Sequence, residues 1–188
     1  MARGKQGSDK TNQLGKVSGE APIDPRARSM TQFELALVVV HNAFSQWTVR
    51  CGTAVGAGRF SSFELLIIGF LNSRDQRVRA ADIAFALKIE DTYTVQYALK
   101  KLATAHLVES QRMGKETLFQ LTAEGRALYK KYSVVRSNFL LDAVAMLSAN
   151  DLDLDRLASV LRTISGIYEQ AARNASSLSA GDEFDLGS

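Results

Sequence analysis

A mainly α-helical fold carrying one small β-hairpin is what this sequence predicts, and three observations predict it. Apolar residues recur at spacings of three and four through most of the chain, the rhythm of one face of a helix. No proline occurs after Pro25, so nothing interrupts long helices. One short stretch, residues 107–121, breaks the rhythm with two β-prone runs about a glycine.

From Thr31 the residues Phe33, Leu37, Val40, Phe44, Trp47 and Cys51 lie on one stripe, a long amphipathic first helix over about 31–51. Gly52, Gly56 and Gly58 interrupt it. Ser61 with Glu64 three residues later forms a capping-box pattern for a second helix carrying Leu65, Leu66, Ile68 and Leu71. A polar break at 72–77 follows. Two shorter segments, 80–87 and about 92–105, read as a helix-turn-helix with Asp91 or Thr92 as the second cap. Val95, Ala98, Leu99 and Leu102 form the apolar stripe of that second helix. The opposite face is Tyr93, Gln96, Tyr97, Lys100 and Thr104, flanked by Thr94 and Lys101, and no acidic residue occurs between Tyr93 and Glu109.

Residues 107–111 and 117–121 flank a turn in which Gly114 can supply a positive φ, giving a two-stranded hairpin or wing. Thr122 with Gly125 opens a further long helix through Leu128, Tyr132, Val135, Phe139, Ala143 and Met146. Ser148 with Asp151 repeats the capping pattern ahead of Leu154, Leu157, Leu161, Ile164, Tyr168 and Ala171. The fold class is therefore mainly α with a small β-wing, a winged helix-turn-helix flanked by long helices. Residues 1–29, rich in Gly, Ser, Lys, Gln and Asn and holding both prolines, read as a disordered basic tail, and 176–188 as a flexible C-terminal tail. The domain between them spans 30–175.

Composition narrows the function. With 188 residues, 46% of them hydrophobic and 23% charged, the chain suits one packed core in solution. It holds no apolar run long enough for a membrane span, and no apolar segment precedes Met30, so neither signal peptide nor anchor is expected. A single cysteine excludes an internal disulfide and a multi-thiolate zinc site, in keeping with a reducing cytoplasm. The net charge of +3 is modest, but eleven basic residues against seven acidic lie between 74 and 131, and four against eight between 132 and 188. A basic centre suits an anionic partner. Catalysis is poorly served: His41 and His106 are the only histidines, neither has a second ligand at metal spacing, and there is no phosphate-binding glycine loop. The acidic run Asp151, Asp153 and Asp155 lacks the glycine and glutamate of a calcium loop and suits the first turn of a helix. No catalytic residue, metal or cofactor is assigned.

The order of elements, with several local strings, resembles the MarR family of bacterial regulators. Asp82-Ile83-Ala84 with Leu87 is similar to the start of that family's helix-turn-helix, the segment from Thr94-Val95 to Leu102 to its recognition helix, and Leu107-Val108 to the strand that follows. Leu121-Thr122-Ala123-Glu124-Gly125 matches the Leu-Thr-x-x-Gly string that closes the wing. Two departures stand out. His106 occupies a position where the family commonly has glycine, and the wing is shorter, with Arg112-Met113-Gly114-Lys115 in place of a longer loop bearing an Asp-Arg pair.

The resemblance implies double-stranded DNA as partner, read by the helix from Thr92 in the major groove. Gln96 can pair with adenine and Thr94 can bond a base or phosphate. Tyr93 and Tyr97 can stack on sugar or methyl groups, while Lys100 and Lys101 can neutralise phosphates. Arg112 and Lys115 flank the wing turn, where cations lie beside the minor groove. A homodimer is expected, because the stripes of the terminal helices (Phe33, Leu37, Leu157, Leu161, Ile164 and Tyr168) extend beyond one small core. His41, Trp47 and Arg50 border the effector pocket that the resemblance implies. Some MarR relatives sense oxidants through cysteine, but Cys51 on an apolar stripe reads as a core residue. The expected function is a cytoplasmic, nucleoid-associated transcription regulator; the alternative is a winged-helix module used only for protein assembly.

Overall fold

The computed structural model describes residues 24–148 and 153–177. The chain divides into two compact units, Met1–Trp47 and Thr48–Ser188, with the boundary in sequence falling inside the first helix. That helix, α1, runs Pro25–Ala54 and so begins six residues before Thr31, inside the segment expected to be a tail. The reason is local. Asp24 accepts the backbone N–H of Arg26 at 2.9 Å, and proline suits a first helical position whose N–H would be unused anyway. In the first unit Phe33 and Leu37 are half-buried, whereas Leu35, Val38, Val39 and Val40 are exposed, Val39 by 68%.

The second unit opens with the end of α1, where Thr48, Cys51 and Gly52 are buried. Helix α2, Ser62–Asn72, starts at the expected capping box: Ser61 Oγ accepts from Glu64 N–H and Glu64 accepts from Ser61 N–H. Then come β1 (Val78–Arg79), α3 (Ala80–Leu87), α4 (Thr92–Thr104), β2 (Val108–Met113) and β3 (Glu116–Leu121). The sheet is antiparallel in the order β1-β3-β2, one strand more than the expected hairpin. Two residues at the end of a polar break carry no alternation, so β1 left no periodic signal. Ile67, Ile83, Val95, Leu99 and Leu102 are fully enclosed at the centre of the core, where α2, α3, α4 and the sheet meet.

Helix α5 (Ala123–Arg136) passes through a π-helical turn, Ser137–Leu141, into α6 (Asp142–Ser148). The sequence stripe had read this span as one regular helix. The wider turn breaks the 3.6-residue rhythm and leaves Phe139 and Leu141 exposed. Helix α7, Leu154–Ser176, is capped by Asp153, which accepts from Asp155 N–H at 2.9 Å. The expected cap partner Asp151 lies outside the described residues, as do most of both predicted tails.

A hydrogen-bonded junction at the base of the wing joins it to α4 and α5. Thr122 donates its hydroxyl to the His106 carbonyl at 2.7 Å and accepts from Gly125 N–H at 3.0 Å, while Thr122 N–H donates to the Leu107 carbonyl. Gly125 sits so close to Leu107 that an added Cβ would collide with the Leu107 carbonyl oxygen. This is the physical content of the Leu-Thr-x-x-Gly string. Across the junction His106 ends α4 with φ +58, a left-handed conformation that glycine adopts without cost. Gly125→Ala is expected to lower stability by about 3 kcal/mol because backbone must move. His106→Gly should raise it by about 0.5–1 kcal/mol, the relief at φ exceeding the added chain entropy. Urea denaturation of the two variants checks both signs.

Candidate nucleic-acid interface

Helix α3 ends at Lys88 in the left-handed conformation, φ +56, and Ile89 N–H returns to the Ala84 carbonyl at 2.9 Å. This tight turn directs the chain into α4. Asp91 caps α4 by accepting from Tyr93 N–H at 2.9 Å, and its second oxygen takes the Thr94 hydroxyl at 3.3 Å. Thr94 keeps its lone pairs for a donor. With Val95, Ala98, Leu99 and Leu102 buried, the other face of α4 must be outward. Tyr93 is 78% and Tyr97 72% exposed, and Gln96, Lys100 and Thr104 are exposed beside them. The five residues expected to share a face do share it.

Lys101 is different. Expected on the flank as a phosphate contact, its ammonium turns back to Glu64, 2.9 Å away, whose side chain is only 7% exposed. Glu64 thus serves two donors, the cap of α2 and Lys101, which keeps its charge satisfied under the helix.

The wing stands on the opposite flank. β2 and β3 close through Gly114 and Lys115, Gly114 having φ +62, and the Arg112 Nε–H donates to the Gly114 carbonyl at 3.3 Å. Arg112 and Lys115 are both exposed at the tip. Arg79 ties this hairpin to the helix-turn-helix: its guanidinium meets Asp82 at 2.7 Å and Glu116 at 2.9 Å, one on α3 and one on β3. Hydrogen bonding to Arg79 holds the Asp82 carboxyl below its ordinary pKa. Arg79 was not among the expected site residues, although its spacing of three from Asp82 is visible in the sequence. Lower on the sheet, Gln120 and Arg77 both donate to Glu109, and those bonds lower its pKa. Between α4 and the wing lies a cavity of about 460 Å³ lined by Gln96, Thr92, Arg79, Lys115 and Glu116 among others.

The remaining expected residues stand elsewhere. His41 and Arg50 are exposed and Trp47 is half-buried on α1. Leu157 and Leu161 on α7 are exposed by 37% and 40%, Tyr168 by 36%, and Ile164 is half-buried. Among the described residues no group of His, Cys, Asp and Glu is arranged to hold a metal ion, and no helix is long and apolar enough to cross a membrane.

Residues 60–125, from Phe60 at the foot of α2 through Gly125, match the family model described as the winged helix DNA-binding domain. Among solved structures the fold is that of MarR regulators. A MarR/EmrR family transcriptional regulator from Acinetobacter sp. ADP1 superposes with a TM-score of 0.56 at 20% identity, covering 79% of this chain and 99% of that one. MarR from Staphylococcus aureus, in complex with salicylate and kanamycin, gives 0.55 at 14% identity over 78% and 94%. FabT from Streptococcus pneumoniae, in complex with DNA, gives 0.52 at 14% identity over 77% and 98%. Comparison with curated proteins gives no match.

Cys51 is 2% exposed, its Sγ 3.7 Å from the Tyr132 carbonyl, and burial pushes its thiol pKa up. Such a thiol is poorly nucleophilic. A thiol-disulfide dye at neutral pH is expected to leave the native protein unlabelled and to label it fully in denaturant; rapid native labelling would mark Cys51 as reactive.

Proposed function

We propose that this chain is a sequence-specific, double-stranded-DNA-binding transcription regulator of the MarR type, acting as a homodimer on a pseudo-palindromic operator in the bacterial cytoplasm. The observation that carries the reading is the outward face of α4. Two tyrosines exposed by more than 70% stand beside Gln96 and Lys100 with no carboxylate among them, on a helix whose other side is sealed in the core. Solvation alone does not favour two exposed tyrosine rings, whereas a groove lined by base edges, methyl groups and phosphates suits each of these side chains. The DNA complex of the similarly folded FabT supports the same reading.

In this reading Gln96, Thr94, Tyr93 and Tyr97 meet bases and sugars. Lys100, Arg112 and Lys115 supply charge, and Lys101 works mainly through Glu64. Gln96→Ala is expected to flatten the preference at one symmetric base-pair position, costing about 1–3 kcal/mol at the best site and little on random duplex. Lys100→Ala should weaken binding to all sequences with the preference intact and lower the salt slope by about one per subunit. Fluorescence anisotropy on a selected operator and on random DNA, across a salt series, reads both. No binding of the unaltered protein even at low salt would favour a protein-assembly role instead.

Dimerisation is supported by α7, which buries no residue and holds Leu157, Val160, Leu161 and Ile167 at 37–62% exposure. An apolar stripe of this length is normally covered by another chain. Phe33 and Leu37 on α1 are the further candidates. A two-fold dimer spaces the two α4 helices by about 34 Å, one turn of DNA. Leu161→Glu should shift the protein to monomer in sedimentation and weaken operator binding; an unchanged dimer would locate the interface elsewhere. The salicylate and kanamycin complex of S. aureus MarR supports a small-molecule effector, with His41, Trp47 and Arg50 as candidate contacts.

A further inference from the structure

A second concavity flanks α4 on the side away from the wing. It is a cavity of about 320 Å³ lined by Arg59, Phe60, Tyr97, Lys100, Lys101 and Thr104. Three of the seven lining residues are cationic, the seventh being Ala105. The one carboxylate nearby, Glu64, is engaged with Lys101 and with the backbone of Ser61. Neither Arg59 nor Lys100 has a carboxylate partner among the described residues, so the cavity keeps a net positive charge facing the same side as the outward face of α4.

The loop that carries Arg59 is built rather than slack. At the end of α1, Ala57 N–H donates to the Gly52 carbonyl at 2.7 Å and Gly56 N–H to Thr53 at 3.1 Å, with Gly56 at φ +85 supplying the left-handed turn. Ala57 is 1% exposed and Phe60 4%, so the loop is pinned on either side of Arg59. Phe60 N–H closes it on the Ala57 carbonyl at 3.1 Å. The Arg59 guanidinium lies 5.0 Å over the Phe60 ring and the Lys101 ammonium 5.6 Å from it. A cation held over an aromatic ring keeps its outer N–H donors free for a ligand. The cavity's cations and fixed loop suit an anionic group beside the exposed Tyr97.

We propose that this cavity seats a phosphodiester group of the DNA strand opposite the wing, with Arg59 and Lys100 as its ligands. The inference rests on the DNA-binding reading above. If α4 enters the groove, one bounding strand runs along the wing and the other along the α1–α2 loop, and among the residues lining this cavity Arg59 and Lys100 are the cations without a carboxylate partner among the described residues. Arg59 is thus a phosphate contact, absent from the residues that sequence reasoning singled out.

The test uses the full chain and a selected operator. Arg59→Gln is expected to weaken binding about tenfold on operator and random duplex alike, leave the base preference unchanged, and lower the log–log salt slope by about two for a dimer. Arg59→Lys should restore the slope and most of the affinity, with the same unfolding midpoint in all three proteins. Single neutral methylphosphonate linkages stepped along the half-site should weaken the unaltered protein at one position and leave Arg59→Gln without further loss there. A free phosphorylated molecule presents the same anionic oxygens; if no neutral linkage affects the unaltered protein, the cavity belongs to such an anion and the proposal falls. Arg59→Gln with unchanged affinity and slope, or with an altered base preference, overturns it too. Failure of the unaltered protein to bind any DNA would instead overturn the proposed function itself.

Discussion

Burial of one side of α4 is the constraint on which the rest of the molecule depends. Val95, Leu99 and Leu102 are fully enclosed and Ala98 nearly so, packed by α2, α3 and β2. Each large apolar side chain withdrawn from water contributes about 1.5–3 kcal/mol. That stripe sets the rotation of the helix about its axis, and rotation decides which side chains reach a partner. A turn of about 100° per residue leaves Gln96, Tyr97 and Lys100 outward once Val95, Leu99 and Leu102 are inward. Recognition chemistry and core packing are two sides of one helix.

Around α4 the polar contacts repeat one device, a charged side chain shared between two partners. Glu64 joins the N-terminus of α2 to α4 through Lys101, and Asp82 and Glu116 are joined by Arg79 across α3 and β3. The exposed Arg79 pairs contribute little stability individually. The effect of these contacts is geometric: the hairpin and the α1–α2 loop are oriented relative to the same helix, on its two flanks. The helix-turn-helix also touches α7, where Lys88 stands 2.7 Å from Glu169. A helix that buries none of its own residues thereby keeps one ionic link to the turn before α4.

Much of this was legible along the chain because it is encoded in near neighbours. The capping box of Ser61 and Glu64, the stripe of α4, the αL glycine of the wing turn and the Leu-Thr-x-x-Gly junction are all read within a few residues, where helix and turn geometry are set by local sterics and hydrogen bonds. Even the departure at His106 was visible, and its left-handed φ explains why glycine is common there. The start of α1 at Pro25 was missed because a polar, glycine-rich surrounding outweighed the cap at Asp24. The π turn was missed because a sequence stripe assumes one uniform period.

The sequence by itself determined the kinds of element, their order and the chemical character of the outward face of α4, since periodicity and composition are properties of the chain. Tertiary structure alone decided which charges remain available to a ligand. Lys100 and Lys101 are adjacent and were given the same phosphate-neutralising role from sequence, yet one is open to solvent and the other is engaged by Glu64, 37 positions away. Arg59 and Arg79, in a loop and a two-residue strand, carry no periodic signal at all. Their roles come from long-range juxtaposition, Arg59 with Lys100 and Lys101 of α4 around one cavity and Arg79 with Glu116 of the wing, 37 positions on. Coulomb and cation–π contacts act over a few ångströms in space, and only the folded core brings those groups within range.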